Sequence, residues 1–123
     1  MSKLFYFDTY ALVEIYKGNS NYEKYSKDIG MTLHKFNILE YVYFLLREKR
    51  NENLEEVFSE LNAFAVDVEN EILIEAAEMK HKYMKERLSF VDCIGYVLAK
   101  KHGVKFLTGD AKFKNKENVE FVK

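Results

Sequence analysis

The chain has 123 residues, 48% of them hydrophobic and 32% charged, which specifies a folded globular protein and excludes a disordered one. Nineteen basic residues against twenty acidic ones leave a net charge of −1. That excludes a protein that coats nucleic acid through a large basic excess, but not a nuclease whose acidic site is offset by local lysines.

KLFYF, at residues 3–7, is rich in aromatic β-formers and predicts a buried first strand. ALVEIYKG reads as a short helix closed by Gly18. Residues 20–28 read as a small polar helix and GMTL as a second strand. From 35 to 50 the pattern is helical, with REKR massed in the last turn, where the helix dipole favours cations. Asn51 or Asn53 is expected to cap a helix over NLEEVFSELNAF, in which Leu54, Val57, Phe58 and Leu61 share a face. AVDV is expected as a third strand, and residues 69–86 as one long amphipathic helix. Ser89 starts the next helix, VDCIGYVLAKKH, ended by Gly103. VKFLT predicts a fourth strand, GDAKFKNKEN a loop and VEFV a short last strand.

Strands alternating with helices predict an α/β domain around a mainly parallel sheet of four to five strands. No linker or repeat divides the sequence, so a single domain over 1–123 is expected. The lone cysteine, Cys93, permits no internal disulfide, and MSKLFYFD reaches an acid too early for a secretory leader. No apolar run reaches membrane-spanning length, and a cytoplasmic location is expected.

Ligands of open parallel sheets lie outside the carboxyl ends of the strands. Four carboxylates interrupt or close apolar runs: Asp8 ends LFYFD, Glu40 sits in NILEYVYFLL, Asp92 in LSFVDCIGYVLA, and Asp110 follows VKFLTG. Each has a structural explanation of its own. Asp8 can cap the first helix, Glu40 can reach water at a helix edge, Asp92 fits a capping box with Ser89, and Asp110 suits a turn. Taken together they fit another pattern, because a parallel sheet can bring all four to one crevice. There they repel unless a cation neutralises them. Oxygen-only donors suit Mg²⁺ or Mn²⁺. His34, His81, His102 and Cys93 lack zinc-ligand spacing and read as surface or packing residues. A divalent ion with open water positions suits phosphodiester hydrolysis, and no phosphate-binding glycine loop is present in the sequence.

In FDTYAL, NILE, LSFVDCIGYVLAKKHG and FLTGDAKF the sequence resembles PIN domains, and in size and layout the VapC-type toxins of prokaryotic toxin–antitoxin pairs. The resemblance spans essentially the whole chain and implies a Rossmann-like three-layer α/β/α fold. It implies a Mg²⁺- or Mn²⁺-dependent ribonuclease with Asp8, Glu40, Asp92 and Asp110 as its acidic, metal-holding site. Thr9 and Thr108 match the small hydroxylic positions that support those acids. Tyr10 departs from the small residue usual there. A homodimer, an RNA substrate and silencing by a small antitoxin are also implied. Lys112, Lys114 and Lys116 on the following loop are candidates for RNA phosphate contacts or for an ordinary solvated loop.

Two alternatives share the fold: a PIN nuclease of RNA maturation or surveillance, and a catalytically silent PIN interaction module. A haloacid-dehalogenase-like phosphatase would want DxD, where this chain has Asp8-Thr9-Tyr10. A receiver domain would want an acidic pair near the first strand, and only one acid is present there.

Overall fold

Buried aromatic side chains on both faces of the first strand organise the molecule, seen in a computed structural model that describes residues 3–50 and 52–123. β1 (Lys3–Phe7) buries Phe5, Tyr6 and Phe7 in succession, as a strand covered on both sides must. It pairs in parallel with β2 (Ile29–Thr32) on one edge and β3 (Lys105–Thr108) on the other. β4 (Val119–Phe121) pairs in parallel with β3, so the sheet order is β2-β1-β3-β4. The register sets Phe7 opposite Leu107 and Thr108 opposite Phe121, which aligns the carboxyl ends of β1 and β3.

Helices supply the parallel crossovers: α1 (Thr9–Tyr16), α2 (Lys35–Arg47), α3 (Leu54–Asn62), α4 (Asn70–Lys82) and α5 (Phe90–Lys101). Successive side chains of a strand face opposite sides, and β1 uses both. Tyr6 faces α5, where a Cβ on Gly95 would lie 2.8 Å from the Tyr6 ring, so α5 settles directly on β1. Phe5 turns to the other face and packs edge-on against Tyr25, with ring centroids 5.5 Å apart. α5 is buried without interruption from Cys93 to Ala99, the pattern of a helix enclosed by sheet and α4. Tyr6, Tyr96, Phe106 and Phe113 close the core beneath it, with centroid separations of 4.9–5.7 Å. The predicted α/β class is the observed one. Among the described residues, no helix is long and apolar enough to cross a membrane.

Four local expectations change. AVDV forms one parallel bridge, Ala65 to Leu33, and not a strand, because Asp67 and Glu69 turn outward and α4 begins at Asn70. The 69–86 helix stops at Lys82. Tyr83 leaves helical geometry, Met84–Glu86 form a 3-10 turn, and left-handed Arg87 reverses the chain so that Leu88 is buried. Residues 20–25 are 3-10 and not merely polar: Tyr22 and Tyr25 are core residues whose hydroxyls bond the Val122 carbonyl and the Glu120 carboxylate. Within GDAKFKNKEN, Ala111–Phe113 make another 3-10 turn, which buries Phe113. Asn53 caps α3, accepting from the Glu56 N–H at 3.1 Å; Asn51 lies outside the described residues. Gly18 and Gly103 follow α1 and α5 with φ of +76° and +68°, as predicted helix stops.

Candidate active site

Asp8 leaves the end of β1 in extended geometry and caps α1. Its Oδ1 accepts from the Thr9 N–H at 2.9 Å, and its Oδ2 accepts from the Thr108 hydroxyl at 2.7 Å. Thr108 ends β3 beside it, held abreast by the Asp8 N–H bond to the Leu107 carbonyl at 3.1 Å. The Thr108 hydroxyl also accepts from the Asp110 N–H at 3.1 Å, so one threonine bridges two of the predicted acids. Asp110 then caps the 3-10 turn, accepting from the Lys112 N–H at 3.0 Å.

Glu40 arrives from α2. It is half-buried and turns toward the end of β1, where its Oε1 accepts from the Thr9 hydroxyl at 2.6 Å. Asp92 occupies the third position of α5. Ser89 accepts from the Asp92 N–H at 3.0 Å and the Asp92 carboxylate accepts from the Ser89 N–H at 3.3 Å, a complete capping box. The cap and turn roles open to Asp8, Asp92 and Asp110 individually are therefore all occupied, and the acids nevertheless share one end of the sheet.

Electrostatics records that closeness. Asp8 is pushed up to about 8, chiefly by burial and next by the charge of Asp92, against the hydrogen bonds from Thr108 and Thr9. Burial raises Glu40, the Thr9 bond lowers it, and the charge of Asp92 raises it further. Burial also raises Asp92, which the Ser89 bonds lower and the charge of Asp110 raises. The phenol of Tyr6 beneath them is raised by burial and by Asp8, Glu40 and Asp92 in turn.

Such a set of oxygen donors, crowded and partly desolvated, matches the chemistry of a hard divalent cation. Among the described residues, no three Asp, Glu, His or Cys side chains stand around one point as ligands do. The carboxylates turn instead onto threonine hydroxyls and backbone N–H groups, so coordination calls for side-chain rotation about fixed backbone positions. Soft ligands are not offered. His34 is buried and pushed down to about 4 by that burial, and Cys93 is buried with its thiol pushed up to about 11 by the same cause. His81 and His102 are exposed.

The lysines of the 109–118 segment divide. Lys112 donates to the Arg87 carbonyl at 3.0 Å. Lys116 pairs with Glu86 at 2.6 Å and lies 4.0 Å from the Tyr83 ring centroid, so it serves packing. Lys114 is exposed. A groove of about 1390 Å³ between α4, α5 and residues 111–117 is lined by none of the four acids and meets the site only at Ala111 and Lys112. Tyr10 is accommodated by the residue before Asp110: a Cβ on Gly109 would lie 2.3 Å from the Tyr10 ring.

Three residues of the site escaped the sequence reading. Asn37 is buried between Tyr6, His34 and Thr9, and its Nδ2 donates to the Thr9 hydroxyl at 3.1 Å. Tyr6 donates to Asn37 from the core side. His34 caps α2, its Nδ1 accepting from the Phe36 N–H at 3.1 Å while Nε2 faces the Val91 carbonyl at 3.3 Å. That ring ties the start of α2, which carries Glu40, to the start of α5, which carries Asp92. A signal was present: H-x-x-N has capping-box spacing, in residues less usual for it.

Comparison with known proteins agrees with this layout. One solved structure similar to the chain is a toxin–antitoxin complex from Klebsiella pneumoniae, with 15% identity, a TM-score of 0.75, and 94% of this chain and 95% of that chain covered. Another is VapBC2 from Rickettsia felis bound to a DNA fragment from their promoter, with 17% identity, a TM-score of 0.64, and 98% and 99% covered. At such identities the likeness is one of fold. Curated proteins return no match in sequence. The family model for the PIN domain matches residues 5–119, nearly the whole of the sheet and helices described above. The chain therefore belongs to the PIN domain family.

Proposed function

We propose that this chain, one domain over residues 1–123, is a divalent-metal-dependent endoribonuclease and the toxin of a VapBC-type pair. The observation that carries the reading is the pair of threonine bridges. Thr9 joins Asp8 to Glu40 and Thr108 joins Asp8 to Asp110, at the aligned carboxyl ends of β1 and β3. Caps account for Asp8 and Asp110 one by one, whereas a cation site accounts for their lying together with Glu40. PIN-domain nucleases as a class hydrolyse nucleic acids.

Asp8, Glu40, Asp92 and Asp110 would hold Mg²⁺ or Mn²⁺, which when bound supplies a water of lowered pKa and positive charge for the leaving oxygen. Thr108 orients the Asp8 carboxylate and accepts from the Asp110 backbone N–H, and Thr9 fixes Glu40. Burial raises Asp8, Glu40 and Asp92, and the charge of neighbouring acids raises them further, both of which a bound cation would offset. Exposed Lys114, with Lys112 beside it, supplies local positive charge for an RNA phosphate.

The two similar structures, a toxin–antitoxin complex and VapBC2, support an antitoxin partner for this chain. A surface for a partner is present on α2, where Phe36, Leu39, Tyr43 and Leu46 are exposed at alternating spacings of three and four residues. A second copy and an antitoxin helix both suit that stripe. The location follows as the cytoplasm, where RNA and antitoxin are met.

Purified protein should cleave single-stranded RNA with Mg²⁺ or Mn²⁺ and lose that activity in EDTA. Asp8→Asn and Asp110→Asn should abolish cleavage while remaining folded. Undiminished cleavage by both variants would sink the assignment.

A further inference from the structure

We propose that Asn37, anchored by Tyr6, is a positioning residue that sets the direction of the Thr9 hydroxyl and thereby fixes Glu40 Oε1 at the end of β1, leaving Oε2 for the metal. The inference rests on the reading of Glu40 as a metal-facing acid. It follows from counting donors and acceptors along one buried chain of hydrogen bonds.

The Asn37 carbonyl oxygen accepts twice, from the Tyr6 hydroxyl and from the His34 N–H at 3.2 Å. Those two donors leave only one orientation for the amide, with its NH₂ facing Thr9. Nδ2 donates to the Thr9 oxygen at 3.1 Å. A hydroxyl has a single proton, and with its oxygen already accepting from an N–H, that proton is delivered to Glu40 Oε1 at 2.6 Å. The network has one polarity, running from Tyr6 and His34 through Asn37 and Thr9 to Glu40.

Burial makes the polarity durable. Tyr6, His34 and Asn37 are buried, so no solvent competes for the amide, and an inverted amide would set two donors against the Tyr6 and His34 donors. Thr9 alone would leave its proton free to turn toward other acceptors. Asn37 removes that choice without touching the reacting groups, and it sits one helical turn before Glu40 on the same helix, so α2 carries both the acid and its director. No cap requires this arrangement: the His34 N–H bond satisfies the start of α2 whether or not Nδ2 reaches Thr9.

The test is a double-mutant cycle on Mn²⁺ affinity, read as free Mn²⁺ by electron paramagnetic resonance with the full chain. The proteins are wild type, Asn37→Ala, Tyr6→Phe, Glu40→Gln and the two doubles. Removing an outer partner of a metal ligand costs about 10- to 100-fold in affinity. Asn37→Ala is expected near the lower end, about tenfold, and Tyr6→Phe at a few-fold, because His34 still holds the amide. In the Glu40→Gln background both losses should vanish to within about twofold, since the network has lost its object. The cleavage rate should repeat the pattern.

Losses that persist undiminished beside Glu40→Gln would overturn the proposal and leave Asn37 a fold residue. Wild-type Mn²⁺ affinity in Asn37→Ala would overturn it too. Should Asn37→Ala not fold, Tyr6→Phe, which keeps the ring and its packing, carries the cycle alone. Failure of the underlying reading has a separate signature: Glu40→Gln itself would bind Mn²⁺ as tightly as wild type.

Discussion

Asp8→Asn should flatten the pH dependence of stability measured in EDTA. Asp8 is buried at the end of β1 and pushed up to about 8 from an ordinary 3.8, by burial first and by Asp92 next. Between those values the folded chain holds a proton that the unfolded chain releases. The contribution of Asp8 is therefore full below 3.8, falls as pH rises, and is gone above about 8. His34 runs the other way. Its pKa is lowered from 6.5 to about 4, so its contribution is full above 6.5 and is lost as pH falls through about 4. Above pH 6.5 the unfolded imidazole also loses its proton, so His34 offsets only roughly a few tenths of a kcal/mol of the acids' slope up to pH 8. One proton is worth about 1.4 kcal/mol per pH unit, so wild type should lose roughly 1.5–2 kcal/mol across that window. Asp8→Asn should lose much less, retaining only what Glu40 and Asp92 contribute in the same direction. Urea unfolding followed by circular dichroism, at half-unit pH steps in EDTA, measures both curves. Parallel slopes would refute the reasoning, because the acid crowding would then not be what the buried Asp8 feels.

Mn²⁺ added to the metal-free protein should raise the melting temperature of wild type, by about 2.7 kcal/mol of stability at a hundredfold excess over Kd, and leave that of Asp8→Asn unmoved. No shift at millimolar metal would favour an interaction module over an enzyme. Gly109→Ala should destabilise by about 1–3 kcal/mol through overpacking, since its Cβ meets Tyr10 and the Val122 carbonyl at 2.3 Å each. Tyr10→Ala in that background should recover only part of the loss, because the carbonyl is backbone; full recovery in urea melts would contradict the close approach. Lys114→Ala should weaken RNA binding and reduce its salt slope by about one while leaving stability alone. Lys116→Ala should instead cost about 1 kcal/mol of stability, as it strips a cation from Tyr83 and a partner from Glu86.

Much of this was legible in the chain itself. KLFYF announces a strand buried on both faces, and the acids at the ends of LFYFD and VKFLTG fall where parallel sheets place their ligands. The three-residue spacing of Ser89 and Asp92 is enough to write the start of α5. What stayed hidden depends on partners distant in sequence. Asn37 reads as one polar interruption in FNILEYVYFLL, and only Tyr6, thirty-one residues earlier, shows which way its amide must face. His34 looks like a surface or packing residue because histidine seldom caps helices, yet its ring joins α2 to α5 through Val91. Lys116 reads as a loop cation until Tyr83 and Glu86 are found on either side of it. AVDV has the composition of a strand, but a single bridge to Leu33 is all the pairing it makes before α4 begins. In each case the deciding neighbour is distant in sequence, and local propensity is silent about it.

The central claim is that Asp8, Glu40, Asp92 and Asp110 converge on a divalent cation. Anomalous diffraction at the manganese edge, from crystals grown with millimolar Mn²⁺, tests it most directly. The account predicts a peak about 2.1 Å from the Asp8 carboxylate and from at least one other of the four, at the carboxyl ends of β1 and β3. A peak confined to the glutamates of α4, or none at the strand ends, would contradict it.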